Sequence, residues 1–195
     1  MTANPQLTND ELREIARLHL RALPGDILPQ LGAWYLTFFY KYLGKSPFEK
    51  IIAARDENNQ IKGACALSFS QSNLMRRVLK HTFLPLVLAG LKASCTSWAF
   101  LKTAFLVLAG SPPKDSSANI TYIFVDPDYA SRGLGRQLLS EAEKEARQAG
   151  HRSLSVKTSS QGDNRALDFY KQNGFLERTS LVFAGRPYKI LEKAI

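Results

Sequence analysis

The sequence predicts an α/β fold, in the α+β sense: a mixed central sheet flanked by helices, with a helical insertion between its third and fourth strands. Three observations carry this. A strand hairpin in the first third is followed, from Ile120 onward, by strand, helix, strand, helix and strand in turn. The helix after the first of those strands is opened by a glycine pair, Gly133 and Gly135. A basic, apolar stretch at about 71–113 stands between the hairpin and that unit.

Taken in order, Thr8-Asn9-Asp10-Glu11 has capping-box spacing, and Leu12, Ile15, Ala16 and Leu18 follow at helical period, so a first helix runs to about Leu23. Pro24-Gly25 breaks it. A second helix is expected from about Pro29 to Leu43, with Leu31, Trp34, Tyr35, Phe38, Phe39 and Tyr42 as its apolar stripe and Gly44 as its stop. Lys50 to Arg55 and Ile61 to Phe69 are strands joined antiparallel across the polar turn Asp56-Glu57-Asn58-Asn59. The insertion is expected to be helical, kinked or divided at Pro85, with a second break near Ser94 to Ser97. Ile120 to Val125 is β-branched and apolar and ends at Asp126-Pro127. A helix from about Gly133 to Ala149 places Leu134, Leu138, Leu139, Ala142 and Ala146 on one face, with Gly150 as its stop. Ser153 to Thr158 is a strand, Asp163 to Gln172 a short helix, and two closing strands lie near Phe175 to Phe183 and Tyr188 to Leu191.

The 195 residues suit a single domain spanning 1–195, with 71–113 as its insertion. Cys65 and Cys95 have neither metal spacing nor a disulfide framework, and Cys65 sits in the apolar run Ala64 to Leu67 as a small core residue. No metal is expected, and a cytoplasmic location is the expectation from the absence of a secretory leader. The net charge of +9 favours phosphate-bearing ligands. More than half of it lies in one segment, where Arg76, Arg77, Lys80, Lys92, Lys102 and Lys114 face Asp115 alone. Nucleic acid is not the expected partner, because no binding motif accompanies the charge. Lys92 and Lys102 interrupt the insertion too often for a membrane span. Packing over the domain, a homodimer contact, a substrate lid and peripheral docking on an anionic membrane stay open as roles for it.

Chemistry concentrates after Ile120. Glycines at a helix start let a ligand approach the backbone, and free N–H groups with the helix dipole favour an anion such as a pyrophosphate. Arg132 and Arg136 add charge on either side of Gly133-Leu134-Gly135. Val125-Asp126-Pro127-Asp128-Tyr129 leading into that run, with Asn164, Ala166, Phe169-Tyr170 and Gly174-Phe175 downstream, resembles the GNAT superfamily of N-acetyltransferases. The likeness is tight from about Ile120 to Phe175 and holds only in element order over the first seventy residues.

The resemblance implies acetyl-CoA as co-substrate and a small amine as acceptor. Backbone groups near Phe124 and Val125 would bind the pantetheine arm, Arg132, Gly133, Leu134, Gly135 and Arg136 the pyrophosphate, and Asn164 would lie near the pantetheine. Tyr170 matches the tyrosine that serves the family as general acid toward the leaving thiolate, a chemically sensible role for a phenol beside sulfur. Two departures stand out. Ala130 occupies a position where the family commonly has Gln or Arg, and Asn119 and Thr121 stand where some members carry the general base. Neither takes a proton from an ammonium near neutral pH. A base would come from elsewhere, act through water, or be unneeded for a neutral amine, with His19, Asp26 and Glu49 as candidates. The second helix and the insertion resemble members acting on amino sugars in surface-polysaccharide pathways, which implies an amino sugar or nucleotide-linked amino sugar as acceptor. The alternatives are N-acylation of a protein or small amine, and a CoA-binding module without catalysis.

Overall fold

In the computed structural model the described residues are 7–26, 28–71, 74–94, 117–161, 165–183 and 185–195. Helix α1 (Asn9–Ala22) begins in the expected capping box: Glu11 N donates to Thr8 Oγ1 at 3.2 Å and Thr8 N to Glu11 Oε2 at 2.6 Å. A 3-10 turn, Leu28–Leu31, then leads to α2 (Gly32–Lys45). The expected single helix from Pro29 is thus divided at Gly32, whose φ of +81° only glycine adopts readily. Gly44 does not stop α2; the helix runs through it to Lys45. Its buried side is Tyr35, Leu36, Phe39, Tyr40 and Leu43, while Trp34 is exposed, because α2 is covered by α1, the sheet and α3 together.

Strands β1 (Glu49–Arg55) and β2 (Ile61–Ser68) form the expected hairpin, its turn closed by Asp56 Oδ1 accepting from Asn58 N and Gln60 N at 3.0 and 2.9 Å. Helix α3 (Leu74–Ser94) follows as the described part of the insertion. Its helical geometry fails at Thr82, three residues before Pro85, since the proline ring crowds the preceding turn. Leu74, Val78 and Thr82 seat α3 on the domain, with Thr82 Oγ1 3.2 Å from Tyr35 Oη. Arg77 ties it to the hairpin by pairing with Glu49, and its Nη2 donates to Ser70 O at 2.9 Å. The break expected near 95–97, the rest of the insertion and any strand before Leu7 lie outside the described residues.

Strand β3 (Ala118–Val125), helix α4 (Leu134–Gln148), β4 (Ser153–Ser159), helix α5 (Arg165–Gln172), β5 (Leu176–Phe183) and β6 (Arg186–Ala194) complete the chain. The six-stranded sheet has the order β1-β2-β3-β4-β6-β5, and its β3–β4 pair alone is parallel. With no strand described before α1, the insertion falls between the second and third described strands. The sheet separates two apolar cores: α1 and α2 pack with Tyr122 and Phe124 on one face, α4 and α5 with Ile120, Leu154 and Val156 on the other. Cys65 is a buried free thiol in the second core, pushed up by burial to about 12.

Candidate active site

Two irregularities in β3 make the site. The β2–β3 register slips between Ala66 and Leu67, which pair with Tyr122 and Ile120, so Thr121 is an extra residue in a bulge. It changes the phase of the strand: Ile120 points to the α4 face, whereas Tyr122 and Phe124 point to the α1–α2 face and Ile123 and Val125 away from it. Pairing with β4 covers only Ala118 to Ile120 against Leu154 to Val156 and then ends. Past that point each strand keeps its outer neighbour, and the backbone edges of Thr121 to Val125 and of Lys157 to Ser159 border a gap inside the sheet. Asn119 fastens the closed end, donating from Nδ2 to Ser155 Oγ at 3.0 Å.

The loop after β3 delivers α4 to the mouth of this gap. Asp126 N donates to Lys62 O at 2.7 Å, and the Asp126 carboxylate accepts from Asp128 N at 3.1 Å and from Arg21 Nη2 at 2.5 Å. Arg21 also reaches Asp128 Oδ2 at 3.0 Å, so α1 holds the loop in place. Ser131 and Gly133 follow with φ of +63° and +83°. Gly133 is the N-cap of α4 and offers no side-chain acceptor; the first helical bond is Gln137 N to Gly133 O, 3.0 Å. Among the described residues nothing accepts from the amides of Leu134, Gly135 and Arg136. The Arg132 guanidinium lies 4.8 Å over the Tyr129 ring, and Arg132 and Arg136 are exposed beside the free amides.

Gly133 requires its glycine for the left-handed φ, but Gly135 does not. A Cβ there would sit 3.5 and 3.6 Å from the Phe169 ring and 4.0 Å from Val125, ordinary contact distances. Packing within the protein therefore leaves room for a side chain that the sequence withholds, on the surface where the amides converge. The residues fit a bound pyrophosphate: converging donors, positive dipole, flanking cations and no Cβ in the way.

Tyr170, on α5, is buried in the second core, edge-on to Phe169 and Phe175 at 5.3 and 5.4 Å. Burial, with a smaller contribution from the nearby Cys65 thiol, pushes its phenol far above the ordinary value. It is therefore held protonated. Asn164 lies outside the described residues.

The three candidate bases have very different surroundings. His19 does not border a cleft: it is fully buried, its Nδ1 2.8 Å from Tyr40 Oη, with its ring stacked on Phe124 at 4.9 Å. Burial lowers its pKa to about 4. The amphipathic spacing of α1 correctly places position 19 inward, and the expectation of a site histidine fails because that inward face meets core. Glu49 is also buried, occupied by Arg77 and by Ser68 Oγ at 3.4 Å. Asp26 differs. It lies half-buried just after α1, and among the described residues nothing bonds or ion-pairs with its carboxylate. Burial raises its pKa against the opposing pull of Arg186 and Lys157.

Those two cations were not singled out from the sequence. Lys157 lies on the open edge of β4, its Nζ 5.0 Å over the Tyr188 ring of β6. Arg186, beside the β5–β6 turn, donates from Nη1 to Gly25 O at 2.9 Å, clasping the turn that carries Asp26. A signal for Lys157 exists: Leu154 and Val156 are inward by alternation, so the residue between Val156 and Thr158 faces the other side of the sheet.

A parallel pair that parts beside a helix start with free amides, in a six-stranded mixed sheet, defines the class as a GNAT-type acyltransferase fold. Residues 92–175 match the model of the Acetyltransferase (GNAT) family. It is 37% identical over 65 residues to an uncharacterized N-acetyltransferase of Methanocaldococcus jannaschii, a match covering 33% of this chain and 28% of that protein. The match thus spans little more than a quarter of the curated relative. Among solved structures it resembles the ribosomal-protein-S18-alanine N-acetyltransferase of Escherichia coli, at 16% identity over 97% of this chain and 91% of that one, TM-score 0.59. It also resembles a Bacillus anthracis protein described as a streptothricin acetyltransferase and solved with acetyl coenzyme A, at 18% identity over 80% and 68% of the two chains, TM-score 0.52. At these identities the structures speak to the fold.

Proposed function

We propose that the protein is an acetyl-CoA-dependent N-acetyltransferase acting on a primary amine, with an amino sugar or nucleotide-linked amino sugar as the acceptor class. The observation that carries this is the gap between β3 and β4 opening beside the unpaired amides of Leu134 to Arg136. Acetyl-CoA supplies an activated thioester. The amides and Arg132 and Arg136 hold its pyrophosphate, and the free edge of β3 near Phe124 and Val125 pairs with the pantetheine amides as it would with another strand. Tyr170 keeps its proton at any working pH and gives it to the departing sulfur.

The amino-sugar acceptor is supported by charge. Arg186 and Lys157 act electrostatically on Asp26, and α3, with Arg76 and Lys80 exposed, packs against Leu28–Leu31 just beyond it. Phosphates of a sugar nucleotide suit such surroundings. Calorimetric titration with acetyl-CoA, followed by kinetics on amino sugars, nucleotide-linked amino sugars, polyamines and peptides, tests both levels. Failure to bind acetyl-CoA rejects the whole reading, and turnover of peptides alone rejects the sugar acceptor.

A further inference from the structure

We propose that α3 docks on an anionic lipid bilayer, with Arg76 and Lys80 against the headgroups and Phe83, Leu84, Val87 and Leu88 entering the interface beside them. The inference goes beyond acetyl transfer and does not rest on it. It gives a role to the apolar residues of the insertion, which the chemistry at the gap does not use.

Spacings of three and four residues give α3 two contrasting sides. Leu74, Val78 and Thr82 are buried against the domain. Arg76, Lys80, Phe83, Leu84, Val87 and Leu88 are exposed, the four apolar side chains to 60, 65, 40 and 43%. Charge and apolar surface are separated along the axis, since both cations precede the kink at Thr82 and the four apolar residues follow it. Large apolar side chains grouped in this way on one helix, with cations at their border, form a patch of the kind that marks an interaction surface. Among the described residues no helix is long and apolar enough to cross a membrane, so α3 is suited to lying on a bilayer rather than spanning it.

Charge selects the occupant. Helix α3 contains neither Asp nor Glu, and Arg77 is already paired with Glu49. Arg76 and Lys80 pair with no carboxylate among the described residues. Arg76 also stands in the first turn, where the helix dipole adds to its positive field instead of offsetting it. A second copy of this face would bring cations toward cations with no carboxylate on the helix to balance them. A soluble phosphate would engage the cations and leave Phe83 and Leu84 in water. An anionic bilayer satisfies both halves: headgroup phosphates pair with Arg76 and Lys80, and the acyl boundary takes the apolar side chains.

Co-sedimentation of the full chain with vesicles of phosphatidylcholine, alone or mixed with phosphatidylglycerol, tests this. The wild type should pellet with the mixed vesicles, stay in solution with the neutral ones, and be released by added salt. Arg76→Gln combined with Lys80→Gln should weaken binding about thirtyfold, as expected for two cations near a charged surface. Phe83→Ser combined with Leu84→Ser should weaken it at least about tenfold through lost apolar burial. Both double variants should melt with the wild type, because the substituted side chains are exposed. Absence of binding to the mixed vesicles overturns the proposal, as does equal binding to the neutral ones. Binding that falls with the cation pair and survives Phe83→Ser with Leu84→Ser assigns the cations to phosphate groups alone and overturns it. So does a dimer in sedimentation velocity that this apolar variant abolishes, or a lowered melting temperature in it without vesicle binding, which would mean that the face is covered by a second copy or within the chain. None of these outcomes bears on acetyl-CoA binding.

Discussion

Beside the gap between β3 and β4, the groups proposed to hold the cofactor come largely from the contiguous stretch Thr121 to Arg136, and many of them are backbone. By contrast, Asp26, Lys157 and Arg186 come from an early loop, a middle strand and the last strand, and influence one another through side chains. The first set uses geometry that a short sequence dictates: a bulge, a left-handed glycine and a helix start. The second exists only once the sheet has assembled.

The comparison predicts that substitutions in the two sets separate binding from chemistry. Largest is Tyr170→Phe, which removes the proposed proton donor and leaves its aromatic contacts in place. Turnover should fall by about 10²–10⁴ while calorimetric acetyl-CoA affinity is unchanged. Unimpaired thiol release in this variant would leave Tyr170 as core alone.

Next is the pH dependence of stability from His19. Burial holds its folded pKa at about 4 against an ordinary 6.5. The unfolded chain therefore binds the proton more readily, and stability present above pH 6.5 is lost as pH falls toward 4, by on the order of 3 kcal/mol. Urea midpoints of wild type should drop across that window, and those of His19→Gln should be flatter. Parallel curves would mean that the histidine is not held neutral in the core.

Asp26 has the opposite sign and a smaller expected effect. Its carboxyl is pushed upward by burial, partly offset by Arg186 and Lys157, with Tyr122 and Tyr188 also facing it. The folded state holds that proton more tightly than the unfolded state, so its contribution to stability declines as pH rises through the raised pKa. With Asp26 as the general base, one of the candidates the sequence offers, activity does the reverse, rising as the carboxylate forms. Asp26→Asn should be at least as stable as wild type at neutral pH, lose about tenfold in kcat, and lack the acidic limb of the pH–rate profile. A variant that keeps the limb assigns it to another group.

This contrast explains what could be read from the chain beforehand. Strands, hairpin, the Pro85 kink and the α4 start follow from alternation, helical period and backbone chemistry, all short-range. His19 was misleading because the spacing that puts it inward says nothing about whether inward means cleft or core. Asp26 stands level with Glu49 in the sequence, since what separates them is Arg77, which ion-pairs with Glu49 and not with Asp26. The division at Gly32 was missed because a helix broken by one left-handed residue keeps nearly the same apolar pattern on both sides.

The smallest expected effect divides the glycine pair itself. Gly133→Ala places a side chain at φ +83°, where nothing lies within 4 Å of the new Cβ, so its cost is conformational, about 1–2 kcal/mol of stability. Gly135→Ala meets only ordinary contacts with Phe169 and Val125, and alanine is the better helix former by at most about 1 kcal/mol, so the unliganded protein should melt no lower than wild type. If that methyl stands where a pyrophosphate oxygen approaches the amides, acetyl-CoA affinity should nonetheless fall about tenfold, the loss of one charge-assisted contact. Stability and affinity would then move in opposite directions at a single position. Should Gly135→Ala bind acetyl-CoA as wild type does, the missing Cβ serves no ligand, and the contiguous end of the gap loses the feature that marks it as a binding surface rather than a tight turn.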